Sequence, residues 1–451
     1  MKAFALVGHP LGHSLSPGIH RAILDAAGIG GTYSLVDVAP EEVAERWPEM
    51  MERFDGFNIT IPYKKAVLPY LAGLSPEARR CGAVNAVCGG IGYNTDAAGF
   101  RAAGMPLRGA RAVLLGTGGV AAMMAAETAA AGAESLVVFS TDPGRARAFL
   151  DALRGRVPEA RCRLAAADSP GDRRAALAGA SLLLNGTPVG MWPRAGGIPV
   201  EAGDLHPGLA VFDPVYCPTP TRLVLNARKR GCRAVGGLSM LVHQAVAAEK
   251  IWNPGIAADP DAVAARLLPG LAADLWRRNP TNILMTGFMG AGKTTVGREL
   301  ARRLGLPFAD LDAEIEAAAG RSIPAVFAES GEEAFRALER DTARRVLAGP
   351  VSRVVAAGGG FPERGENRAL VRETNTLVLH IASDFPAMWE RIAGDPVRPL
   401  ARDREKAAAL HARREPLYRD FCDFSVPTSN TTPPDATVPR LASAFISALS
   451  P

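Results

Sequence analysis

Short apolar runs alternate with amphipathic stretches along most of the chain, a pattern typical of strands that alternate with helices. Residues 3–7 predict a first strand, and residues 16–27 predict a helix with Ser16 as its cap and Pro17 at its first position. Further strands and helices alternate up to about residue 100. The start of the chain is therefore predicted to be an α/β domain.

A second series of elements begins with a buried strand at residues 111–115, followed by a glycine-rich turn, an alanine-rich helix and a strand at 135–139. Such a strand–helix–strand unit begins a doubly wound parallel sheet. Residues 181–184 and 210–212 predict later strands, and residues 237–252 predict a closing helix.

Four prolines interrupt the apolar pattern between residues 254 and 280, so we expect a linker with one or two short helices there. The pattern resumes with an apolar strand, a glycine-rich loop and a helix. The predicted organisation is α/β throughout, with domains at 1–100, 101–253 and 281–451 and the linker at 254–280. We expect the parts on either side of the linker to be separable.

Composition adds little to this picture. The 451 residues are 48% hydrophobic and 22% charged with a formal net charge of +5, which is typical of a globular protein and gives little support to nucleic-acid binding. Six cysteines form no C-x-x-C pair, as expected for free thiols in a reducing compartment. The first residues lack an apolar run of signal-peptide length, and no run could cross a bilayer. We expect a cytoplasmic protein with small-molecule partners and no membrane or nucleic-acid partner.

The turn after residue 115 has the pattern G-x-G-x-x-A, with Gly116, Gly118 and Ala121 at its fixed positions and Gly119 between them. Such a turn lets the backbone approach a pyrophosphate and points the N-terminus of the next helix at it. Taken alone, the pattern also fits a plain tight turn.

Seven short polar segments elsewhere in this half resemble the shikimate dehydrogenase family over residues 1–253. They span residues 13–17, 58–64, 82–87, 92–96, 185–191, 213–216 and 241–245, with the sequences HSLSP, NITIPYK, GAVNAV, GYNTD, NGTPVGM, DPVY and LVHQA. Several motifs in order are far more specific than any one of them. The resemblance implies an N-terminal substrate domain, a Rossmann-type dinucleotide domain and the reduction of 3-dehydroshikimate to shikimate.

The resemblance also implies roles for single residues. Lys64, hydrogen-bonded to Asp96, would hold and deliver the proton that a ring ketone needs when it is reduced to an alcohol. Taken singly, Lys64 also fits a surface lysine and Asp96 an Asx-turn residue. Residues implied to bind the substrate are Ser14 and Ser16 at the carboxylate, with Thr60, Asn85, Tyr216 and Gln244 at the carboxylate and ring hydroxyls. Those implied to contact the cofactor are Gly116, Gly118, Gly119, Ala121, Thr141, Arg145 and Gly237.

NADP(H) is the expected cofactor, but one position departs from the family pattern. NADP-dependent members usually place an arginine on the ribose 2′-phosphate where this sequence has Thr141. Asp142 could instead accept a hydrogen bond from a free 2′-hydroxyl, as acids do in NAD-binding folds. Arg145 and Arg147 could still hold a phosphate, so NAD(H) stays open as an alternative.

The loop after residue 286 fits the pattern G-x-x-x-x-G-K-[ST] at every fixed position. In such a loop, backbone N–H groups bind nucleotide phosphates, the lysine adds a positive charge and the hydroxyl residue binds Mg²⁺. The residues predicted to bind ATP here are Gly287, Gly290, Ala291, Gly292, Lys293, Thr294 and Thr295, with Thr294 at the metal.

Downstream segments resemble the shikimate kinase family over residues 281–451. They span residues 308–312, 331–336, 358–360, 398–400 and 414–418, with the sequences FADLD, GEEAFR, GGG, RPL and REPLY. The resemblance implies a P-loop fold of the nucleoside-monophosphate-kinase type with a lid, and the transfer of a phosphoryl group from ATP to shikimate.

The kinase resemblance implies residue roles as well. Asp312 would bind ring hydroxyls and orient the attacking one, and Asp310 would support Mg²⁺. The other implied residues are Arg336, Arg414, Gly358, Gly359 and Gly360 at the substrate, Arg398 at the ATP phosphates and Arg391 at the adenine. An isolated arginine is otherwise a solvated surface charge, and this alternative applies most to Arg391.

The two implied reactions follow one another, because the first makes the shikimate that the second converts to shikimate 3-phosphate. The sequence therefore predicts a bifunctional enzyme of chorismate and aromatic amino-acid biosynthesis. Two alternatives remain: a first half that prefers quinate, and a regulatory sensor that binds shikimate-like ligands without turnover. A sensor would be expected to have lost Lys64, Asp96, Lys293 or Asp312, and all four are present.

Overall fold

The computed structural model describes residues 1–12, 14–158, 162–279, 281–394, 403–428 and 434–449. Within these ranges the chain forms three sheets, one after another along the sequence. No helix in the described part of the chain is long and apolar enough to cross a membrane.

The first sheet is mixed and has the order β2-β1-β3-β5-β6-β4. Its strands are β1 Lys2–Gly8, β2 Gly31–Asp37, β3 Gly56–Ile59, β4 Gly73–Leu74, β5 Ala86–Cys88 and β6 Ile91–Tyr93. Its helices are α1 Ser16–Ala26, α2 Val43–Arg53, α3 Pro76–Cys81 and α4 Asp96–Ala102. The predicted cap of α1 is wrong: Leu15 is the cap residue, and Ser16 is already inside the helix.

The second sheet is parallel throughout and has the order β12-β11-β10-β7-β8-β9. Its strands are β7 Arg111–Leu115, β8 Ser135–Phe139, β9 Arg163–Ala167, β10 Leu182–Asn185, β11 Ala210–Asp213 and β12 Arg233–Gly236. Its helices are α5 Gly119–Ala130, α6 Pro143–Arg156, α7 Pro170–Ala178, α8 Arg222–Lys229 and α9 Gly237–Trp252. This is the doubly wound order, in which ligands bind where the strand order reverses, between β7 and β10.

The segment predicted as a linker with short helices is instead one 19-residue helix, α10 Pro260–Arg278, with Asp259 as its cap. Pro260 suits the first turn of a helix because its missing N–H would be unpaired there. Val263, Ala264 and Leu275 of α10 pack in one hydrophobic cluster with residues of α1 and α9. The prolines therefore do not prevent this segment from being a packed part of the structure.

The third sheet is also parallel and has the order β14-β15-β13-β16-β17. Its strands are β13 Ile283–Thr286, β14 Phe308–Asp310, β15 Val354–Ala356, β16 Leu377–Ser383 and β17 Phe424–Thr428. Its helices are α11 Lys293–Leu304, α12 Leu311–Ala319, α13 Ile323–Leu347, α14 Gly365–Glu373, α15 Phe385–Ile392, α16 Arg404–Phe421 and α17 Pro434–Leu449. The α/β class and the P-loop domain are thus as predicted.

Candidate active sites

The centre of the first site is an ion pair between the catalytic candidates of the sequence analysis. Lys64 lies in the turn after β3, Asp96 begins α4, and Lys64 Nζ donates to Asp96 Oδ2 at 2.6 Å. The side chains are only 16% and 9% exposed. Asn85 Nδ2 donates to the other oxygen, Asp96 Oδ1, at 3.0 Å. The carboxylate therefore fixes the lysine ammonium in one place, as a proton donor to a substrate requires.

Neutral polar groups surround this ion pair. Asn85 Oδ1 accepts from the Thr95 backbone N–H at 2.6 Å, and Asn85 Nδ2 lies 3.3 Å from Gln244 Oε1. Thr95 was not singled out from the sequence, although it adjoins Asp96 in one of the motifs. Thr60 follows β3 directly, and a Cβ on Gly8 would lie 2.4 Å from Thr60 Cγ2, so the neighbouring strand leaves room for Thr60 only because it has a glycine there.

A buried chain of hydrogen bonds joins the predicted carboxylate-binding serines to this cluster. Ser16 contacts Tyr33, whose hydroxyl donates to Asn58 Oδ1 at 2.7 Å. Asn58 Nδ2 in turn donates to the backbone carbonyl of Asn85 at 3.0 Å. Burial raises the pKa of Tyr33 well above its ordinary value. Tyr33 therefore stays protonated and able to donate.

Ser14 lies just before α1, and Tyr216 packs against a hydrophobic cluster that includes residues of α1. Ser14 Oγ accepts from the backbone N–H of Ser16 at 3.2 Å, so the two serines are adjacent. Tyr216 packs against the cluster that contains Leu15, and its burial raises its pKa. Hydrogen bonds thus link the two serines to Asn85, and Asn85 contacts both Gln244 and the Lys64–Asp96 pair.

The glycine-rich turn lies beside this cluster. Gly116 has φ = +90°, and a Cβ there would lie 2.9 Å from the carbonyl oxygen of Gly186. A Cβ on Gly119 would lie 3.8 Å from Lys64 Cβ. Helix α5 begins at Gly119, with Gly118 as its cap. Because these glycines carry no side chain, a dinucleotide pyrophosphate can approach the N-terminus of α5. The turn also lies next to Lys64, the proposed proton donor.

The end of β8, where a ribose would lie, presents both polar and charged groups. Asp142 Oδ1 caps α6 by accepting from the N–H groups of Gly144 at 2.9 Å and Arg145 at 3.3 Å. Arg147 forms an ion pair with Asp168. The side chains of Thr141 and Arg145 are exposed. Gly237, also predicted at the cofactor, begins α9 where a Cβ would lie 1.9 Å from the Pro214 carbonyl oxygen.

The second site is built on the loop between β13 and α11. Gly287, Gly290 and Gly292 have φ values of +144°, +78° and +92°, a region that side chains rarely adopt. Lys293 Nζ donates to the backbone carbonyls of Gly287 at 2.9 Å and Phe288 at 3.0 Å, so the loop folds around its own lysine. Ala291 is buried in the loop and Thr295 lies in the first turn of α11.

The predicted metal-binding residues meet at the end of β14. Thr294 Oγ1 donates to Asp310 Oδ2 at 2.8 Å, and Asp310 Oδ1 accepts from the Asp312 backbone N–H at 3.1 Å. A hydroxyl and a carboxylate are the hard oxygen ligands that suit Mg²⁺. These residues therefore fit a magnesium ion bound next to the phosphate loop.

Two arginines converge on the triple-glycine segment of the kinase half. A Cβ on Gly360 would lie 2.8 Å from Arg336 Nη2 and 3.0 Å from Arg414 Nη2. A Cβ on Gly358 would likewise lie 3.0 Å from Asp312 Oδ1. The structure thus brings together six predicted residues: both arginines, the aspartate and the three glycines.

The carboxylates that balance these arginines were not predicted from the sequence. Arg414 Nη2 donates to Glu363 Oε2 at 2.6 Å, and Arg336 Nη2 lies 3.7 Å from the same oxygen. Arg336 Nη1 also donates to Glu339 Oε2 at 3.0 Å. Glu363 follows the glycine segment by three residues, which was the only sequence signal available. A substrate carboxylate bound by both arginines must share them with Glu363.

The two arginines predicted at ATP are Arg391 and Arg398. Arg391 is exposed and Nη1 donates to the Gly290 carbonyl at 3.0 Å, so it lies at the phosphate loop. Arg398 lies outside the described residues. The fold and the two sites together define a dinucleotide-dependent oxidoreductase joined to a P-loop kinase.

Comparison with known proteins identifies both parts. The family model of the shikimate dehydrogenase substrate-binding domain matches residues 6–87, and that of shikimate kinase matches residues 289–449. The chain is 40% identical over 258 residues to the shikimate dehydrogenase (NADP(+)) of Moorella thermoacetica, which covers 55% of this chain and 87% of that protein. The chain therefore belongs to the shikimate dehydrogenase family and carries a shikimate kinase domain after it. It is a bifunctional enzyme of the shikimate pathway that uses NADP and ATP.

Two solved structures show the similarity of the first half in three dimensions. A shikimate 5-dehydrogenase from Thermus thermophilus in complex with NADP(H) and shikimate is 35% identical, with a TM-score of 0.52 over 59% of this chain and 100% of that one. A quinate dehydrogenase from Corynebacterium glutamicum in complex with NAD is 31% identical, with a TM-score of 0.53 over 59% and 99%.

Proposed function

We propose that the first half reduces 3-dehydroshikimate to shikimate and that the second half phosphorylates the 3-hydroxyl just formed. The observation that carries the first proposal is the Lys64–Asp96 ion pair directly beside the dinucleotide turn at Gly119. The observation that carries the second is the phosphate loop facing a pair of arginines and Asp312 across the glycine segment.

In the dehydrogenase half, the glycine-rich turn at Gly116, Gly118 and Gly119 would hold NADPH, which would supply a hydride to the carbonyl carbon. The Lys64 ammonium delivers a proton to the carbonyl oxygen, so the ketone becomes an alcohol. Asp96 holds Lys64 in position, and a positioned acid of this kind contributes ~10²–10⁴-fold in rate. Ser14 and Ser16 bind the substrate carboxylate, while Thr60, Asn85, Tyr216 and Gln244 orient the carboxylate and ring.

We propose Arg145 as the cation nearest the ribose 2′-phosphate. Arg147 is paired with Asp168, and the Asp142 oxygen that caps α6 is already committed to backbone N–H groups. Thr141 offers only a hydroxyl at the position where an arginine is usual. We therefore expect NADPH to be preferred over NADH only modestly, and the Thermus relative that holds NADP(H) supports this choice of cofactor.

In the kinase half, Thr294 and Asp310 would hold Mg²⁺, which would supply positive charge at the ATP phosphates. Lys293 and the backbone of the loop bind those phosphates, with Arg398 added as a charge-neutralising residue. Arg336 and Arg414 grip the substrate carboxylate, since a guanidinium matches its planar geometry. Asp312, next to Gly358, orients the attacking hydroxyl.

One assay with the purified full-length chain tests both proposals. The protein is given 3-dehydroshikimate with NADPH or NADH, with and without ATP–Mg²⁺, while reduced cofactor and ADP are followed separately. We expect cofactor oxidation without ATP, and ADP formation only after shikimate has been made or added. Binding of shikimate without either turnover would support a sensor instead. Replacing shikimate by quinate in the reverse reaction tests the alternative suggested by the quinate dehydrogenase neighbour.

A further inference from the structure

Helix α8 of the dehydrogenase half makes buried contacts with the kinase half. Arg222, its first residue, has a side chain only 9% exposed, and Nη1 lies 3.4 Å from Asp423 Oδ1. Its Nη2 donates to the backbone carbonyl of Thr376 and lies 3.5 Å from that of Val371. One arginine of the first enzyme therefore satisfies polar groups from three places in the second.

The same face of α8 contacts the kinase half again at its other end. Residues 222, 225 and 229 follow the three- and four-residue spacing of one helix face. Leu225 is fully buried in the hydrophobic cluster formed by β13, α11 and β16 of the kinase half. Lys229 Nζ donates to the carbonyls of Arg419 and Cys422, the latter at 2.5 Å.

These contacts converge on the C-terminal end of α16. The last carbonyl groups of a helix have no partner within it, and a lysine near them interacts favourably with the helix dipole. Arg419 is in the last turn of α16, and Cys422 is its cap residue. Asp423 follows directly and also accepts from the Val378 N–H at 2.8 Å, which ties the end of α16 to the start of β16.

The C-terminal half of α16 carries part of the candidate shikimate site. Tyr418 OH donates to the Gly359 carbonyl at 2.6 Å, and Arg414 Nη2 donates to Glu363 at 2.6 Å. Tyr418 adjoins Arg419, and Arg414 lies five residues before Arg419, about 7.5 Å along the helix. The end of α16 is therefore on the same helix as Arg414 and Tyr418, close to both of them.

We propose that α8 of the dehydrogenase half positions Arg414 in the kinase half, through Arg222 and Lys229 at the end of α16. Arg222 and Lys229 are positioning residues for phosphoryl transfer and touch neither shikimate nor ATP. This inference rests on the proposed kinase function of the second half. According to this proposal, a surface of the dehydrogenase half contributes to the recognition of shikimate by the kinase half.

The test uses the full-length chain with Lys229→Met, which keeps the length of the side chain and removes its charge. Arg222→Lys is the second variant, because it keeps the buried charge next to Asp423 and removes the guanidinium fork. Arg230→Met is the matched control, since this exposed cation adjoins Lys229 at the end of the same helix. Dehydrogenase turnover on the same molecules reports that the first half is folded.

We expect both variants to raise the Michaelis constant for shikimate by about five- to tenfold, the size of one lost charge-assisted interaction. The constant for ATP and dehydrogenase turnover should stay within about twofold of wild type. Hydrogen exchange should speed up in the last turn of α16 and not in α11. The control should match wild type in every measurement.

Two results would overturn the inference. Unchanged shikimate constants in both variants would show that α8 does not act on Arg414. Equal losses for ATP and shikimate, with faster exchange throughout the kinase half, would show that α8 merely keeps that half folded. If the wild-type chain itself failed to phosphorylate shikimate, the proposed kinase function would fail, whereas the exchange measurement would still show whether α8 holds α16.

Discussion

The two candidate sites are expected to hold the same molecule, yet they offer it different chemistry. In the dehydrogenase half, hydroxyls and amides surround a single ion pair, Lys64–Asp96, and no arginine contacts either residue among the hydrogen bonds of the described chain. In the kinase half, Arg336 and Arg414 converge on Gly360 and are balanced by Glu363. We therefore expect the substrate carboxylate to be recognised by neutral donors in the dehydrogenase half and by guanidinium groups in the kinase half.

The difference follows from where each reaction places negative charge. A nicotinamide cofactor reacts through its ring, while its phosphates stay at a helix N-terminus away from the substrate. Phosphoryl transfer instead brings a triphosphate against the substrate, so that cations must offset the charge between them. The first site should therefore depend on where a proton is held, and the second on how much positive charge faces the substrate.

The strongest test of this comparison is Lys64→Ala. It removes the only proposed proton donor of the first site, so dehydrogenase turnover should fall by ~10²–10⁴-fold. Phosphorylation of added shikimate should stay close to wild type, because the two chemistries use different residues. Lys65→Ala, at the adjacent lysine, is the matched control and should retain both activities. An equal fall of both activities in a folded Lys64 variant would contradict the division into two sites.

Lys293→Ala should have the next largest effect. Kinase turnover should fall by ~10²–10³-fold, since one charge that faces the transferred phosphoryl group is lost. Dehydrogenase turnover should persist, and Arg302→Ala, an exposed cation on the same helix, should leave both activities intact. A folded Lys293 variant with a near-normal phosphorylation rate would mean that the loop is not the active nucleotide site.

Two carboxylates, Asp213 in the first half and Glu363 in the second, have pKa values shifted in opposite directions. Burial raises the pKa of Asp213 to about 6, although hydrogen bonds from Thr221, Asn185 and Val215 oppose this shift. Burial would also raise the pKa of Glu363, but there the hydrogen bonds and charges of Arg414 and Arg413 lower it. Neutral partners thus leave one carboxyl costly to ionise, while arginines make the other easy to ionise.

Asp213→Asn tests the first of these statements. A raised pKa means that the folded protein binds the proton more tightly, so this group's contribution to stability is greatest below about pH 4 and is lost as the pH rises to about 6. Over that window the wild type should lose up to about 3 kcal/mol relative to the variant. Urea unfolding at pH 4, 5, 6 and 7 measures the difference. Asp168→Asn, at an exposed site, is the control; parallel pH profiles for wild type and Asp213→Asn would contradict the assignment.

The smallest effect is expected for Arg336→Lys. Lysine keeps the positive charge but loses the planar fork, so the Michaelis constant for shikimate should rise by about tenfold, or about 1.4 kcal/mol. The constant for ATP should change little. Arg340→Lys, one turn along α13 at a more exposed position, provides the control. A defect confined to ATP would place Arg336 on the nucleotide side of the site.

Most of the fold could be predicted because strong local patterns specify it. The strands at 111–115 and 135–139 and the helix at 237–252 have the predicted bounds, and both glycine-rich loops lie between a strand and a helix. Where α10 forms, the sequence predicted only a linker with one or two short helices, because the prolines dominate a local interpretation, whereas the stability of α10 comes from packing against α1 and α9. The domain boundaries at residues 100 and 253 stay predictions.

The residues of the candidate sites likewise divide into those that a local sequence motif predicts and those that it does not. Residues within short motifs, such as Lys64, Asp96 and Lys293, could be found because the motif itself carries the chemistry. Tyr33 and Glu363 could not, since each acquires its place only when distant segments pack together. Arg222 is the extreme case, because its partners lie about 150 to 200 residues further along the chain.

The burial of Leu225 has a consequence for how such a fusion persists. This leucine belongs to the dehydrogenase half, yet its side chain completes the interior of the kinase half. If a mutation separated the gene into two, each product would expose an apolar surface that favours aggregation, together with an unpaired charge at Arg222 or Asp423. Each half thus limits the substitutions that the other half tolerates. Every further residue that becomes buried between the two halves makes separation of the fused genes more costly to stability.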